Sequence, residues 1–370
     1  MTDPIGTTEP TASRPFPCGG CGARLEFTPG TTVLTCPYCG FQQQTEAPQR
    51  AVREHSYDQL VALPRKPVAT LAAHVYVCHR CGAQTQSNAI SESCQFCAAP
   101  MVVDTAALEQ IIPEAVLPFE VDRNGVRTSL KSWVNSRWFA PSGLKKVSEA
   151  ESVKGTYLPH WTYDSRTRSD YVGQRGEHYW ETETYTVEVD GKTETRTRQV
   201  RKTRWYPASG RVQRDFDDVL VPGTHQVSPA NLDALAPWPL ERAAPYQQDF
   251  LAGYQTLRYD VEPEAGLTDA KARMAKVIEK DCEADIGGDE QRVLSVQTQY
   301  ADIMFKLMLL PVWIACYIYA GKTYQIMVNG RTGKVVGERP YSKIKIALAI
   351  LAGLVLVGLV AVLYLNAKGG

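Results

Sequence analysis

Eight of the ten cysteines fall into two matching quartets, Cys18-x2-Cys21-x14-Cys36-x2-Cys39 and Cys78-x2-Cys81-x12-Cys94-x2-Cys97. No other pattern in the chain restricts the fold so tightly. A Cys-x-x-Cys pair on a tight turn aims two thiolates at one point, and spacers of 14 and 12 residues leave room for a hairpin that brings the second turn opposite the first. Four sulfurs then close a tetrahedron around Zn2+, so the pattern predicts two tandem zinc ribbons. Gly22, Gly40 and Gly82 follow the second cysteine of their pairs, where a positive φ turns N–H groups toward sulfur, while Ala98 takes that place in the fourth pair.

A closed four-thiolate site leaves no coordination position for water or substrate, so both ions are expected to be structural. Each ribbon has only about thirty residues, too few for a self-sufficient core. Metal binding of about 10–16 kcal/mol in comparable peptides would supply the missing folding energy. Two other readings of the quartets stand beside zinc. Disulfides require an oxidising compartment, and the opening Met1-Thr2-Asp3-Pro4 has neither the basic nor the apolar region of a signal peptide. Iron in the same sulfur cage, as in a rubredoxin-like electron carrier, is open on ligand type, although no flavin or nicotinamide fingerprint accompanies it.

At the other end, Ile346 to Leu365 run without a charge. As a helix these residues would reach about 30 Å, the thickness of a bilayer core. Arg339, Lys343 and Lys345 precede the stretch against Lys368 after it, which predicts a single-pass tail anchor in a bacterial inner membrane with a cytoplasmic N-terminus. The expected organisation is a disordered tail at 1–13, ribbon one at 14–47, a linker at 48–73, ribbon two at 74–103, a helical connecting segment at 104–155, a strand-rich α+β domain at 156–342 and the transmembrane anchor at 343–366. The predicted fold class is thus α+β: two zinc ribbons, a strand-rich body and one C-terminal transmembrane helix.

Within the connecting segment, Leu130, Trp133, Val134, Arg137 and Trp138 share a face at helical spacing, which predicts a helix from Val126 to Phe139 ended by Pro141. From Tyr157 the pattern becomes two-fold alternation. Asp190-Gly191 predicts a type I′ turn that pairs Val189 with Lys192, Val187 with Glu194, Tyr185 with Arg196 and Glu183 with Arg198, with Thr186 opposite Thr195 and Thr184 opposite Thr197. Both faces of that hairpin are polar, so it is expected to project into solvent. Leu158-Pro159-His160-Trp161 recurs as Leu310-Pro311-Val312-Trp313, a hint of duplication that would place two pseudo-symmetric halves in one sheet. A helix over Leu267–Ala284 is expected to pack upon it, capped by Thr268, with Ala272, Ala275, Val277, Ile278 and Cys282 as its apolar stripe. Cys282 and Cys316 lie in apolar surroundings and read as inert core thiols.

Forty basic residues balance forty acidic ones, which argues against a general polyanion-binding surface. The one basic cluster is Lys192, Arg196, Arg198, Arg201, Lys202, Arg204, Arg211 and Arg214, and Glu177, Glu181, Glu183 and Glu188 on the partner strand oppose it. No His-Glu-x-x-His pair and no Gly-x-Ser-x-Gly elbow occurs. Ala320-Gly321-Lys322-Thr323 imitates the end of a P-loop, but Cys316 stands where its first glycine belongs. The sequence predicts no catalytic activity.

The order of the Cys-x-x-Cys ribbons, Pro118-Phe119, Arg137-Trp138-Phe139-Ala140-Pro141, Tyr157-Leu158-Pro159-x-Trp161, Arg204-Trp205-x-Pro207, Leu309-Leu310-Pro311-x-Trp313, Tyr319-x-Gly321-Lys322-x-Tyr324-Gln325 and Asn329-Gly330-x-Thr332-Gly333-Lys334 resembles a family of bacterial TFIIB-type zinc-ribbon membrane proteins. Members often carry a primosomal protein N-prime-like label without having the helicase motor. The resemblance implies association with SPFH-type or phage-shock-type membrane proteins and a role in membrane maintenance, and it assigns no catalytic residue. The expected function is a membrane-anchored scaffold or adaptor that binds protein partners at the cytoplasmic face, with residues 346–365 in the bilayer. The alternatives are a membrane-tethered nucleic-acid-binding protein that uses the ribbons and the basic hairpin, and the iron electron carrier.

Overall fold

The computed structural model describes residues 16–45, 50–62, 65–67, 74–78, 83–87, 92–94, 96, 100–104, 109–137, 153–189, 192–319, 322–338 and 342–368. The 1–13 tail, Cys81, Gly82, Cys97, Ala98, the Asp190-Gly191 turn and Ala320-Gly321 fall outside them, as do Trp138 to Pro141.

Ribbon one carries β1 (Glu26–Phe27), β2 (Val33–Thr35) and β3 (Gln42–Gln44) as an antiparallel sheet in the order β1-β2-β3. Between the ribbons lie β4 (His55–Ser56) and β5 (Arg65–Pro67). β6 (His74–Val77), β7 (Gln84–Ser87), β8 (Glu92–Ser93) and β9 (Pro100–Asp104) make ribbon two. β10 (Glu109–Ile111), β11 (Ala115–Val116) and helix α1 (Arg123–Asn135) follow. Strands β12 (Lys154–Val189) and β13 (Lys192–Pro222) lead to α2 (Pro229–Leu235), β14 (Ala244–Pro245) and β15 (Gln255–Leu257). The chain continues through α3 (Pro263–Ile286), β16 (Glu290–Tyr319), β17 (Lys322–Asn329), β18 (Val335–Gly337) and α4 (Lys343–Lys368).

Three strands of 36, 31 and 30 residues, β12, β13 and β16, form the spine. β12 pairs antiparallel with β13 on one edge and with β16 on the other. The register around residues 190–191 is the one that the alternation predicts, with Val189 opposite Lys192 and Glu183 opposite Arg198. On the β12 and β13 faces that alternate inward, Trp161, Tyr163, Tyr171 and Val221 form a buried cluster with Leu267, Ala270, Met274, Ile278, Cys282 and Ile286 of α3.

The duplication is structural. Leu158 lies opposite Leu310 in the antiparallel pair, and the surroundings of the two segments match about that point. β15 runs parallel to β12 at Thr156 and Tyr157, and β11 runs parallel to β16 at Met308 and Leu309. Gly223 donates its N–H to the Pro159 carbonyl at 2.9 Å, and Gly330 donates to that of Pro311 at 2.8 Å. The indole N–H of Trp161 reaches the Val261 carbonyl at 2.8 Å, and that of Trp313 reaches Val121 at 2.9 Å. Each indole meets an aromatic ring edge-on, Tyr259 at 5.2 Å and Phe119 at 5.1 Å. The repeating unit is a short strand, a helix, a long strand and an antiparallel partner to it: β11-α1-β12-β13, then β15-α3-β16-β17, the last of only eight residues. The units are exchanged, because each short strand pairs with the long strand of the other unit.

Local sequence explains most element ends. Asp122 caps α1 by accepting the Gly125 N–H at 2.8 Å, and Val126, Leu130 and Val134 are its buried stripe. The helix runs from Arg123 to Asn135, shorter at its end than expected. α3 begins at Pro263, five residues before the expected cap, since proline loses nothing at a first helical position. Thr268 lies within the helix and donates its hydroxyl to the Glu264 carbonyl. Ala272, Ala275 and Val277 are exposed, so the apolar stripe is corrected to the residues that face the sheet, of which Ile278 and Cys282 were expected.

The C-terminal expectation is also corrected. Helix α4 forms, and Leu348, Leu351 and Leu354 on it are exposed. Among the described residues no helix is long and apolar enough to cross a membrane. The transmembrane span at Ile346–Leu365, the tail anchor, the inner-membrane location and the cytoplasmic N-terminus derived from it are withdrawn together. What stands is a strand-rich α+β fold with four α-helices among the described residues.

Because the two indoles hold equivalent places, Trp161→Phe and Trp313→Phe should destabilise the chain by similar amounts. Each removes the indole donor from a backbone carbonyl, buried at Val261 and half-buried at Val121, at a cost of about 1–3 kcal/mol. Urea unfolding checks this, and a variant indistinguishable from wild type at either position would contradict the equivalence.

Candidate metal centre

The first quartet is brought together by two turns of the same design. Cys18 N–H donates to the Ala23 carbonyl at 2.6 Å, and Gly22 N–H returns to the Cys18 carbonyl at 2.9 Å. In the second turn Cys36 N–H donates to Phe41 at 2.8 Å, and Gly40 N–H returns to Cys36 at 3.0 Å. Gly22 and Gly40 hold φ of 72° and 73°, the left-handed conformation that glycine adopts without strain. Gly20 N–H also points at Cys18 Sγ, 3.3 Å away.

Cys18 Sγ lies 3.5 Å from Cys39 Sγ, and Cys21 Sγ lies 3.6 Å from Cys36 Sγ. All four sulfurs are within 4.8 Å of one another. A tetrahedron with Zn–S bonds of about 2.3 Å has sulfur edges of about 3.8 Å, so the cage fits a metal ion of that size. Disulfides, with S–S near 2.05 Å, do not fit these separations. Backbone N–H groups from Cys39 and Tyr38 outweigh burial at Cys36 and bring its thiol down to about 7. At Cys39 the Phe41 N–H acts in the same direction, but the crowding of Cys21 and Cys18, with burial, pushes the thiol up to about 12. Four thiols this close cannot ionise independently; a bound cation is what allows all of them to be thiolates.

Half of the cage belongs to the protein core. Cys18 and Cys36 are buried, whereas Cys21 and Cys39 are exposed. Leu25, Phe27 and Leu34 of the ribbon join the same apolar cluster as Phe119, Tyr157 and Trp313. Phe27 meets Phe250 edge-on at 5.2 Å, and Phe27 N–H donates to Ala252 at 2.9 Å. Gly30 N–H donates to the backbone carbonyl of Phe119, whose ring meets Trp313 edge-on. The sequence offered no sign of these anchors.

In the second quartet Cys78 and Cys94 are described and both are buried. Cys78 N–H donates to the Ala83 carbonyl at 2.9 Å, repeating the Cys18–Ala23 turn, and Phe96 N–H points at Cys94 Sγ. Cys81 and Cys97 lie outside the described residues. Ribbon two is joined to the body through β7, which pairs with β15 at Thr256 and Leu257. Tyr76, Cys78, Ala83 and Cys94 pack with Leu158, Val312 and Met327.

A second cluster of possible ligands, Glu54, Asp164, Asp217 and Asp218, already holds a cation of the chain itself. Lys306, on β16 and nearly buried, pairs with Glu54 at 2.6 Å and with Asp218. Burial alone would lower its ammonium, but the two carboxylates outweigh it and hold it above the usual value. Burial and a shared hydrogen bond with Glu54 raise Asp164 to about 7, while Glu54 is held below the ordinary range. The proton therefore sits on Asp164. The cluster fastens the segment before Tyr57 to the spine, where β4 pairs with β16 at Met304 and Phe305. Asp217-Asp218 in succession within an alternating strand was the available sequence signal.

A pKa raised by folding contributes stability that is complete below the unfolded value near 3.9 and is lost as pH rises through the folded value. Asp164 should therefore loosen this fastening as pH rises from about 4 to about 7, and no further above that. Hydrogen exchange at His55 to Tyr57, corrected for intrinsic rates, should accelerate between about pH 5 and about pH 7 and then level off in the wild type, but not in Asp164→Asn. A flat wild-type profile would contradict the assignment of the proton.

Comparison with known proteins adds one relative. The chain is 24% identical over 343 residues to the Uncharacterized protein YdjG of Bacillus subtilis (strain 168), covering 90% of this chain and 92% of that one. No family model matches, and no solved structure matches.

Proposed function

We propose that this chain is a zinc-ribbon scaffold that binds protein partners, with two structural Zn2+ ions held by Cys18, Cys21, Cys36 and Cys39 and by Cys78, Cys81, Cys94 and Cys97. The observation that carries the reading is where the sulfurs sit. Cys18 and Cys36 belong to the cluster on one side of the exchanged core, and Cys78 and Cys94 belong to a cluster beside the other short strand. Metal held there braces the body instead of facing a substrate, and a closed thiolate cage has no vacant position for chemistry. No reaction is assigned, and no membrane attachment is part of the reading. SPFH-type and phage-shock-type proteins, implied by the resemblance of the motifs, are the first partners to test.

The nucleic-acid alternative draws less support. Arg198 pairs with Glu183, Lys202 with Glu181 and Glu183, Arg211 with Asp170, and Arg214 with Asp281, so much of the basic cluster is answered within the chain.

Elemental analysis of purified protein should find two zinc ions per chain and one in Cys36→Ser, and chelation should lower the unfolding temperature. Iron with visible thiolate absorption would establish the electron-carrier reading instead, and metal-free protein with unchanged unfolding would remove the metal from the account. Crosslinked pull-down should recover fewer protein partners with Cys36→Ser or Cys94→Ser than with wild type. Undiminished recovery in both would move partner binding away from the ribbons.

A further inference from the structure

β16 begins at Glu290, opposite Gly176, and beyond that point β12 and β13 continue as a two-stranded arm over residues 177–189 and 192–204. The direction of its backbone groups can be read at its base. His178 donates its N–H to the Asp289 carboxylate at 2.7 Å, on the side away from β13. Antiparallel pairing alternates, so on β13 the residue opposite His178, Thr203, turns its own N–H and C=O to the outer edge, and so do Arg201, Gln199, Thr197, Thr195 and Thr193. Among the described residues β13 pairs with β12 and with no other strand. Its outer edge is a row of alternating donors and acceptors open to a further strand.

The charge on that edge selects the strand. Residues 192–204 carry Lys192, Arg196, Arg198, Arg201, Lys202 and Arg204 against Glu194. Arg204 lies over the Tyr179 ring at 4.9 Å and Arg198 over Tyr185 at 5.5 Å, which holds these guanidinium groups along the arm. A strand added beside β13 would run about 4.8 Å from the basic row and about twice that from Glu177, Glu181 and Glu183 on β12. Arg196, Arg198 and Lys202 are shared with Glu194, Glu183 and Glu181, whereas Arg201 and Arg204 have no ion pair among the described residues, so the added strand would meet net positive charge. A second copy of β13 would bring two basic rows together, which cross-strand pairing disfavours. Phosphates offer acceptors only and leave the edge carbonyls unanswered, whereas a peptide strand answers both donors and acceptors.

We propose that the outer edge of β13 on this arm takes an acidic, extended segment of a partner protein by strand addition. This rests on the scaffold reading and locates where the partner sits.

The test uses the full metal-loaded chain and three labelled twelve-residue peptides, alternating Glu–Val, Glu–Pro and Lys–Val, followed by fluorescence anisotropy. Glu–Val should bind at least tenfold more tightly than Glu–Pro, which has equal charge but whose alternate prolines hold φ near about −65°, a polyproline-type backbone that fits a strand ladder poorly. Lys–Val should not bind. Thr197→Pro removes one outward N–H from β13 and should weaken Glu–Val at least tenfold. Arg201→Glu, which leaves the backbone intact, should weaken it too. Thr184→Pro makes the same change on the opposite edge of the arm and should have no effect. Equal binding of Glu–Val and Glu–Pro, equal loss in Thr184→Pro, or preference for a single-stranded oligonucleotide would each overturn the proposal. Crosslinked pull-down with Thr197→Pro separates the two levels. Partners recovered at wild-type yield would remove the edge site and leave the scaffold standing, whereas no partner recovered even with wild type would remove the scaffold reading itself.

Discussion

The antiparallel pairing of β12 with β16 about Leu158 and Leu310 is the constraint on which the rest of the molecule depends. It sets the two tryptophans on either side of a local two-fold, and each indole ties its long strand to the loop before the opposite unit's helix. Since β11 lies on β16 and β15 lies on β12, neither half can bury its aromatic residues without the other. Phe119, Tyr157, Tyr254 and Trp313 form one ring cluster across that exchange, with centroid distances between 4.2 and 5.9 Å. Aromatic pairs of this kind add about 0.5–1.5 kcal/mol each beyond their buried area, so the cluster contributes specificity as well as burial.

The ribbons follow from this frame. Short strands such as β11 and β15 leave an edge and an apolar flank to be covered. Ribbon two covers one by adding β7 to β15, and ribbon one packs Phe27 and Leu34 into the cluster beside Phe119. A ribbon of this size has little core of its own. Metal in the Cys18–Cys39 cage would thus hold the shape of a surface that the body needs, and the body would bury the two sulfurs that the ribbon cannot shield. The long strands β12 and β13 continue past the start of β16 and end in the two-stranded arm.

How much of this could be read in advance depended on whether the physics was local. The first quartet was legible because metal ligation fixes residue type and spacing together, and its four sulfurs do come together. The hairpin register was legible because a two-residue turn sets every pair after it. The duplication showed only as Leu-Pro-x-Trp, since its other half is the pair Leu117-x-Phe119-Glu120-Val121-Asp122 and Leu257-x-Tyr259-Asp260-Val261-Glu262, whose conserved contact is a backbone carbonyl with no sequence signature. The stripe on α3 was misplaced because alanines and Val277 satisfy a helical period on more than one face; the sheet chose Leu267, Ala270 and Met274. Ile346 to Leu365 met a length rule for a span, yet among the described residues no helix is long and apolar enough to cross a membrane. The Lys306 cluster draws on Glu54, Asp164 and Asp218 from three separated segments, and no single stretch announces it.

X-ray absorption at the metal edge of the purified chain tests the central claim most directly, that closed sulfur cages brace this fold. The account predicts four sulfur neighbours per ion at about 2.3 Å and no oxygen or nitrogen in the first shell. A shell containing water or fewer than four sulfurs would show an open site and contradict it.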